Sequence, residues 1–98
     1  MEISCGLIRG RHSVPPTITE FIYLYDIPQQ HICDATYMEG ICAKYLDRHT
    51  EATTINVYVT GFTPALLALI KVCGTRNIHV NAYNYDREGK TFWRQEVI

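Results

Sequence analysis

The sequence predicts a small α/β domain of the Rossmann-like kind. Three observations carry that reading: β-forming runs alternate with helical segments, one helix is apolar nearly all round, and the chain closes on a hairpin. Strands alternating with helices of about 10–15 residues imply right-handed crossovers and a parallel sheet. The expected order is β-α-β-α-β-β in three layers, with three parallel strands and an antiparallel edge strand beside the third. At 98 residues, 47% hydrophobic and 19% charged, the chain supports one folded core. Residues 18–98 are read as that domain and residues 1–17 as an N-terminal arm.

The arm reading rests on Arg9, Arg11 and His12 followed by Val14-Pro15-Pro16, since two successive prolines fit neither a helix interior nor a central strand. The first predicted strand is Glu20–Asp26, dense in β-formers and ended by Ile27-Pro28. A polar loop, Gln29–Asp34, leads to Thr36-Tyr-Met-Glu39, which matches a capping box and opens a helix. Met38, Ile41, Cys42, Tyr45 and Leu46 form its apolar stripe. Ile55–Thr60 is the second strand and runs straight into Gly61. Thr63-Pro64 pairs an N-cap residue with proline at the first helical position, and the helix continues from Ala65 to Cys73 and stops at Gly74. Lys71 is its one charged member, so this helix needs cover on more than one face. Ile78–Tyr85 is the third strand; Asp86–Lys90 turns the chain and Thr91–Val97 returns antiparallel.

Composition narrows function. Nine Lys and Arg against ten Asp and Glu give a formal charge of -1, which predicts no bulk attraction to duplex nucleic acid or to an anionic membrane. No apolar run reaches the roughly 18 residues that cross a bilayer, and the first stretch lacks a signal-peptide block, so a cytoplasmic location is expected. Cys5, Cys33, Cys42 and Cys73 lie far apart and are read as free thiols, with no metal and no cofactor expected. A core this small also favours a homodimer.

In an open parallel sheet, ligands collect beyond the carboxyl ends of the strands. That rule selects Asp26, Gln29, Gln30 and His31 after the first predicted strand, Thr60, Gly61, Phe62 and Thr63 after the second, and Tyr85, Asp86 and Arg87 after the third. The middle loop is the leading candidate, because glycine permits close backbone approach and the N–H groups opening a helix can hold an anion. The same five residues, Thr60 to Pro64, also make an efficient strand-to-helix turn. The loop lacks the glycine and lysine spacing of a P-loop. His31 is the candidate acid or base, with a solvated loop histidine as the plainer alternative. Arg9, Arg11 and His12, with Arg87, form a candidate anion-binding rim. The tyrosines on the strands are read first as sheet packing, with Tyr85 the exception.

Val57-Tyr-Val-Thr-Gly-Phe-Thr-Pro-Ala-Leu66 resembles the strand-turn-helix of CRISPR-associated Rossmann-fold (CARF) domains and small ring nucleases. The resemblance covers about ten residues. It implies a pair of protomers holding a cyclic oligoadenylate across a twofold axis, with Thr60, Gly61 and Thr63 on phosphate or ribose and Phe62 near the base. The expected function is therefore binding of a cyclic oligonucleotide, or a related nucleotide second messenger of prokaryotic antiviral defence, to sequester, sense or cleave it. Cleavage would proceed by metal-independent attack of a ribose 2′-hydroxyl, with His31 as acid or base. The ligand-binding set is Asp26, Gln30, Thr60, Gly61, Phe62, Thr63, Tyr85 and Arg87. The competing expectation is a phage- or host-encoded inhibitor or adaptor that binds a protein, in the manner of an anti-CRISPR, and takes no small ligand.

Overall fold

The computed structural model describes residues 1–98. It contains β1 (Glu2–Ile8), β2 (Phe21–Tyr23), α1 (Ala35–Asp47), β3 (Thr54–Tyr58), α2 (Thr63–Thr75), β4 (His79–Asp86) and β5 (Thr91–Glu96), with a single 3-10 turn at Gln29–His31. The five strands form one sheet in the order β2-β1-β3-β4-β5. β2, β1, β3 and β4 run parallel, and β5 returns antiparallel to β4. This is a small Rossmann-like α/β domain.

The expected N-terminal arm is corrected: Glu2–Ile8 is a strand in the interior of the sheet, paired on both sides. Ile3, Cys5 and Leu7 alternate with Glu2, Ser4 and Gly6, the two-residue period of a half-buried strand. The prolines govern only the connection that follows. There are thus four parallel strands rather than three. The strand expected over Glu20–Asp26 shortens to Phe21–Tyr23, and Leu24 and Tyr25 are exposed.

The three-layer expectation is also corrected. α1 carries the chain from β2 to β3 and α2 from β3 to β4, two steps in the same direction across the sheet. Right-handed crossovers in the same direction put both helices on one face, and α1 and α2 indeed pack against each other. The opposite step, from β1 to β2, has no helix. In register, Ile3, Ile55 and Val80, then Cys5, Val57 and Ala82, build the covered face, with Met38, Cys42, Tyr45 and Leu46 of α1 and Ala65, Ala68, Leu69 and Cys73 of α2 in the same core. On the other face, Asn81 donates to Asn56 Oδ1 at 3.0 Å and Asn56 donates to Glu2 Oε1 at 3.1 Å, a polar ladder across three strands.

Both helix boundaries differ from expectation for local reasons. α1 is capped by Asp34, whose side chain accepts from the Tyr37 N–H, instead of by Thr36. A carboxylate at that position also meets the positive end of the helix dipole. α2 runs through Gly74 and ends where Asn77 takes φ 56°, with Ile78 N–H donating to Cys73 O at 2.9 Å and Asn77 N–H to Gly74 O at 3.4 Å. That is a Schellman closure made by asparagine instead of glycine. The Tyr23 hydroxyl ties the layers together, donating to Ala65 O at 3.0 Å and lying 3.1 Å from Cys42 Sγ.

Candidate functional site

β1 leads to β2 on one side and β3 leads to β4 on the other, so the strand order reverses between β1 and β3. At such a switch point the two following loops diverge and leave a crevice. Here those loops are Arg9–His12 and Val59–Phe62.

The second loop is built by Thr60. The β1–β3 register pairs Gly6 with Tyr58, so the next rung would join Ile8 to residue 60. The Thr60 main chain has left the sheet, and its hydroxyl completes the rung, accepting from Ile8 N–H at 2.9 Å and donating to Ile8 O at 2.8 Å. Thr60 is fully buried. Its hydroxyl is therefore committed to the backbone, which removes it from the ligand-binding role that the resemblance implied. Gly61 follows with φ 99° and Phe62 with φ 50°. A side chain at Gly61 would meet Arg11 Cδ at 3.2 Å and His12 Nε2 at 3.6 Å, so glycine lets the two switch-point loops touch. The N–H groups of Gly61, Phe62 and Thr63 donate to no acceptor in the protein. They open α2, whose second residue is Pro64.

Arg11 joins this loop to Asp26. Its Nε donates to Asp26 Oδ1 at 2.9 Å, its second nitrogen lies 2.9 Å from the same oxygen, and its guanidinium sits 5.5 Å from the centre of the Phe62 ring. The hydrogen bond from Arg11, helped by the Ile27 N–H, holds the Asp26 carboxyl below the ordinary aspartate range.

Beyond Gly61 the crevice widens into a cleft of about 790 Å³, lined by His12, Gly61, Tyr85, Arg87, Lys90 and Phe92 among others. No carboxylate lines it. Asp86 is turned into the hairpin, where its side chain accepts from the Glu88 N–H at 3.1 Å. The Tyr85 and Phe92 rings meet at 5.3 Å with planes 63° apart, leaving Tyr85 half exposed.

Of the residues expected at the site, Asp26, Gly61 and Phe62 come together through Arg11, while Tyr85 and Arg87 share the cleft with Gly61; Thr63 stands exposed at the opening of α2. Gln30 and His31 do not line that cleft. His31 stacks on Tyr37 at 3.9 Å and its Nδ1 lies 3.2 Å from Asp34 Oδ2. Asp34 is held below the ordinary range by the Tyr37 N–H first and His31 second, so the trio is a capping arrangement for α1. Lys90 and Phe92 were not among the expected site residues, and Arg11 and His12 were expected only as part of an anion-binding rim. Reading Ile3, Cys5 and Leu7 as a strand identifies Arg9–His12 as its carboxyl-end loop, and the antiparallel register sets Phe92 opposite Tyr85.

No group of three His, Cys, Asp or Glu side chains is placed to hold a metal ion, and no helix is long and apolar enough to cross a membrane. Comparison with family models, with curated proteins and with solved structures found no match to this chain.

Proposed function

We propose that this domain binds a cyclic oligonucleotide or a related nucleotide second messenger of prokaryotic antiviral defence at the β1–β3 switch point. The observation that carries the reading is the set of unengaged N–H groups of Gly61, Phe62 and Thr63, the first of which stands beside Arg11 and His12 at the edge of a cleft lined by three basic side chains and no acidic one. N–H groups at a helix start favour a phosphate, no carboxylate lines the cleft itself, and the carboxylate beside the loop, Asp26, is already paired with Arg11. Tyr85 and Phe92 offer a ring face and edge to a base. The resemblance of Val57–Leu66 to CARF domains supports the cyclic class and a site shared by two copies of the chain. Binding is the proposed activity; His31, engaged with Asp34 and Tyr37, lends no support to cleavage.

The test is calorimetry of the full chain against cyclic di-, tri-, tetra- and hexanucleotides. Expected is saturable heat with one ligand for two chains, strongly reduced in Arg11→Ala. The absence of heat at high micromolar ligand overturns the proposal. A second reading, capture of a protein partner, is favoured by the adjacent exposed residues Leu24 at 49% and Tyr25 at 83% beside the edge strand β2. Co-purification of a defined host protein by a chain that ignores every nucleotide in the panel would decide for it.

A further inference from the structure

We infer a second anion site, at the β2 side of the molecule and independent of the switch point, that takes the phosphate group of a phosphate monoester or of free phosphate. The loop after β1 serves both places. Arg11 turns toward Gly61, whereas Arg9, two residues earlier, lines a separate cleft of about 600 Å³ together with Thr19, Glu20, Tyr45, Arg48 and His49.

Charge selects the ligand. The chain's six ion pairs use Arg11, His31, His49, Lys71, Arg76 and Arg94, so neither Arg9 nor Arg48 has a carboxylate partner. Arg48 is steadied across the Tyr45 ring at 5.6 Å. Glu20 is the one acidic residue lining the cleft, and its Oε1 is already engaged: the Tyr45 hydroxyl donates to it at 2.9 Å and His49 Nε2 lies 3.2 Å away. The cleft therefore presents two unpaired guanidiniums against one carboxylate that Tyr45 and His49 already engage. Guanidinium forks match the oxygens of a phosphate, and a phosphate monoester near neutral pH carries about -1.5 to -2 charges, enough to engage both. Phe21 and Leu24 form the apolar side of the same cleft, where the organic part of a monoester would rest.

The test is a heteronuclear NMR titration of the full chain at constant ionic strength with two probes, inorganic phosphate and phenyl phosphate, following the Arg9 and Arg48 Nε–H signals and the His49 amide. Saturable shifts are expected, with a dissociation constant of about 1 mM or tighter. Tighter binding of phenyl phosphate would identify a monoester as the ligand, and equal binding would identify free phosphate. Arg9 and Arg48 are exposed and make no side-chain hydrogen bond, so the Arg9→Ala/Arg48→Ala variant folds and is expected to bind at least about tenfold more weakly. Arg11→Ala leaves the affinity unchanged, which separates this site from the switch point. Glu20→Gln keeps an acceptor for Tyr45, removes the opposing charge and is expected to tighten binding about threefold. Linear shifts that chloride reproduces, shifts confined to Arg11 and His12, or undiminished affinity in the double variant would each overturn the inference.

Discussion

Replacing Thr60 by valine keeps the shape of the side chain and removes the hydroxyl that stands in for a rung of the β1–β3 ladder. Ile8 is fully buried, and both of its main-chain groups are served by that one oxygen, at 2.9 and 2.8 Å. Leaving a buried donor or acceptor without a partner costs about 1–3 kcal/mol, so two of them cost roughly 2–4 kcal/mol after some relaxation. A domain of this size holds about 5–15 kcal/mol in all, and the loss is therefore severe without being complete. With a urea dependence of about 2 kcal/mol per molar, the middle of the usual range for small proteins, the unfolding midpoint should fall by roughly 1–2 M at unchanged slope. Thr60→Ser, which retains the oxygen, should lose far less. Urea denaturation followed by circular dichroism measures both. A valine variant within about 0.5 kcal/mol of the wild type, or a serine variant equally destabilised, would refute the assignment of this hydroxyl to the backbone. One practical consequence is that Thr60→Val is unsuited to testing ligand binding, whereas Thr63, exposed at the helix start, can be changed freely.

Gly61→Ala forces a side chain into φ 99° and against Arg11 Cδ at 3.2 Å; thermal unfolding should register a loss of about 1–3 kcal/mol, while Gly40→Ala in α1, with nothing within 4 Å, should be stabilising by about 0.5–1 kcal/mol. Burial pushes the Cys5 and Cys73 thiols up to about 12 and the Cys42 thiol up to about 11, so an aromatic disulfide reagent should titrate one thiol, the exposed Cys33, in the folded protein and four after denaturation. The Asp26 carboxyl, lowered chiefly by its Arg11 hydrogen bond, contributes stability that is present above the ordinary aspartate range and is lost as pH falls through its own lower value. Its NMR titration should inflect below that of a free aspartate and return toward normal in Arg11→Ala; an unchanged inflection would count against the pair.

Much of this architecture is legible in the residues, and the failures have physical causes. Strand β3, helix α2 and the closing hairpin carry strong local signals, namely β-branched runs, proline at a helix start and a polar turn, and they appear within a residue or two of expectation. β1 carries an equally clear alternation over Glu2–Leu7, but it is short and the charged, proline-rich connection behind it dominates any wider window. The placement of both helices on one face follows only once β1 is inserted between β2 and β3, because strand order determines which way each crossover steps. The same applies to the site. Gly61, Phe62, Tyr85 and Arg87 are identifiable as strand-end residues, whereas the partnership of Arg11 with Asp26, fifteen positions apart, depends on β1 and β2 lying side by side. Thr60 illustrates the reverse case, a residue marked by its motif as a ligand contact whose hydroxyl is consumed by the fold.

The most direct test of nucleotide binding at the switch point is the electron density of a co-crystal grown with the cyclic oligonucleotide that gives the largest heat. Expected are a phosphate on the Gly61, Phe62 and Thr63 N–H groups within reach of Arg11 and His12, a base against Tyr85 or Phe92, and one ligand across two chains. Nucleotide density elsewhere on the surface, with the switch-point crevice filled only by water, would contradict binding there.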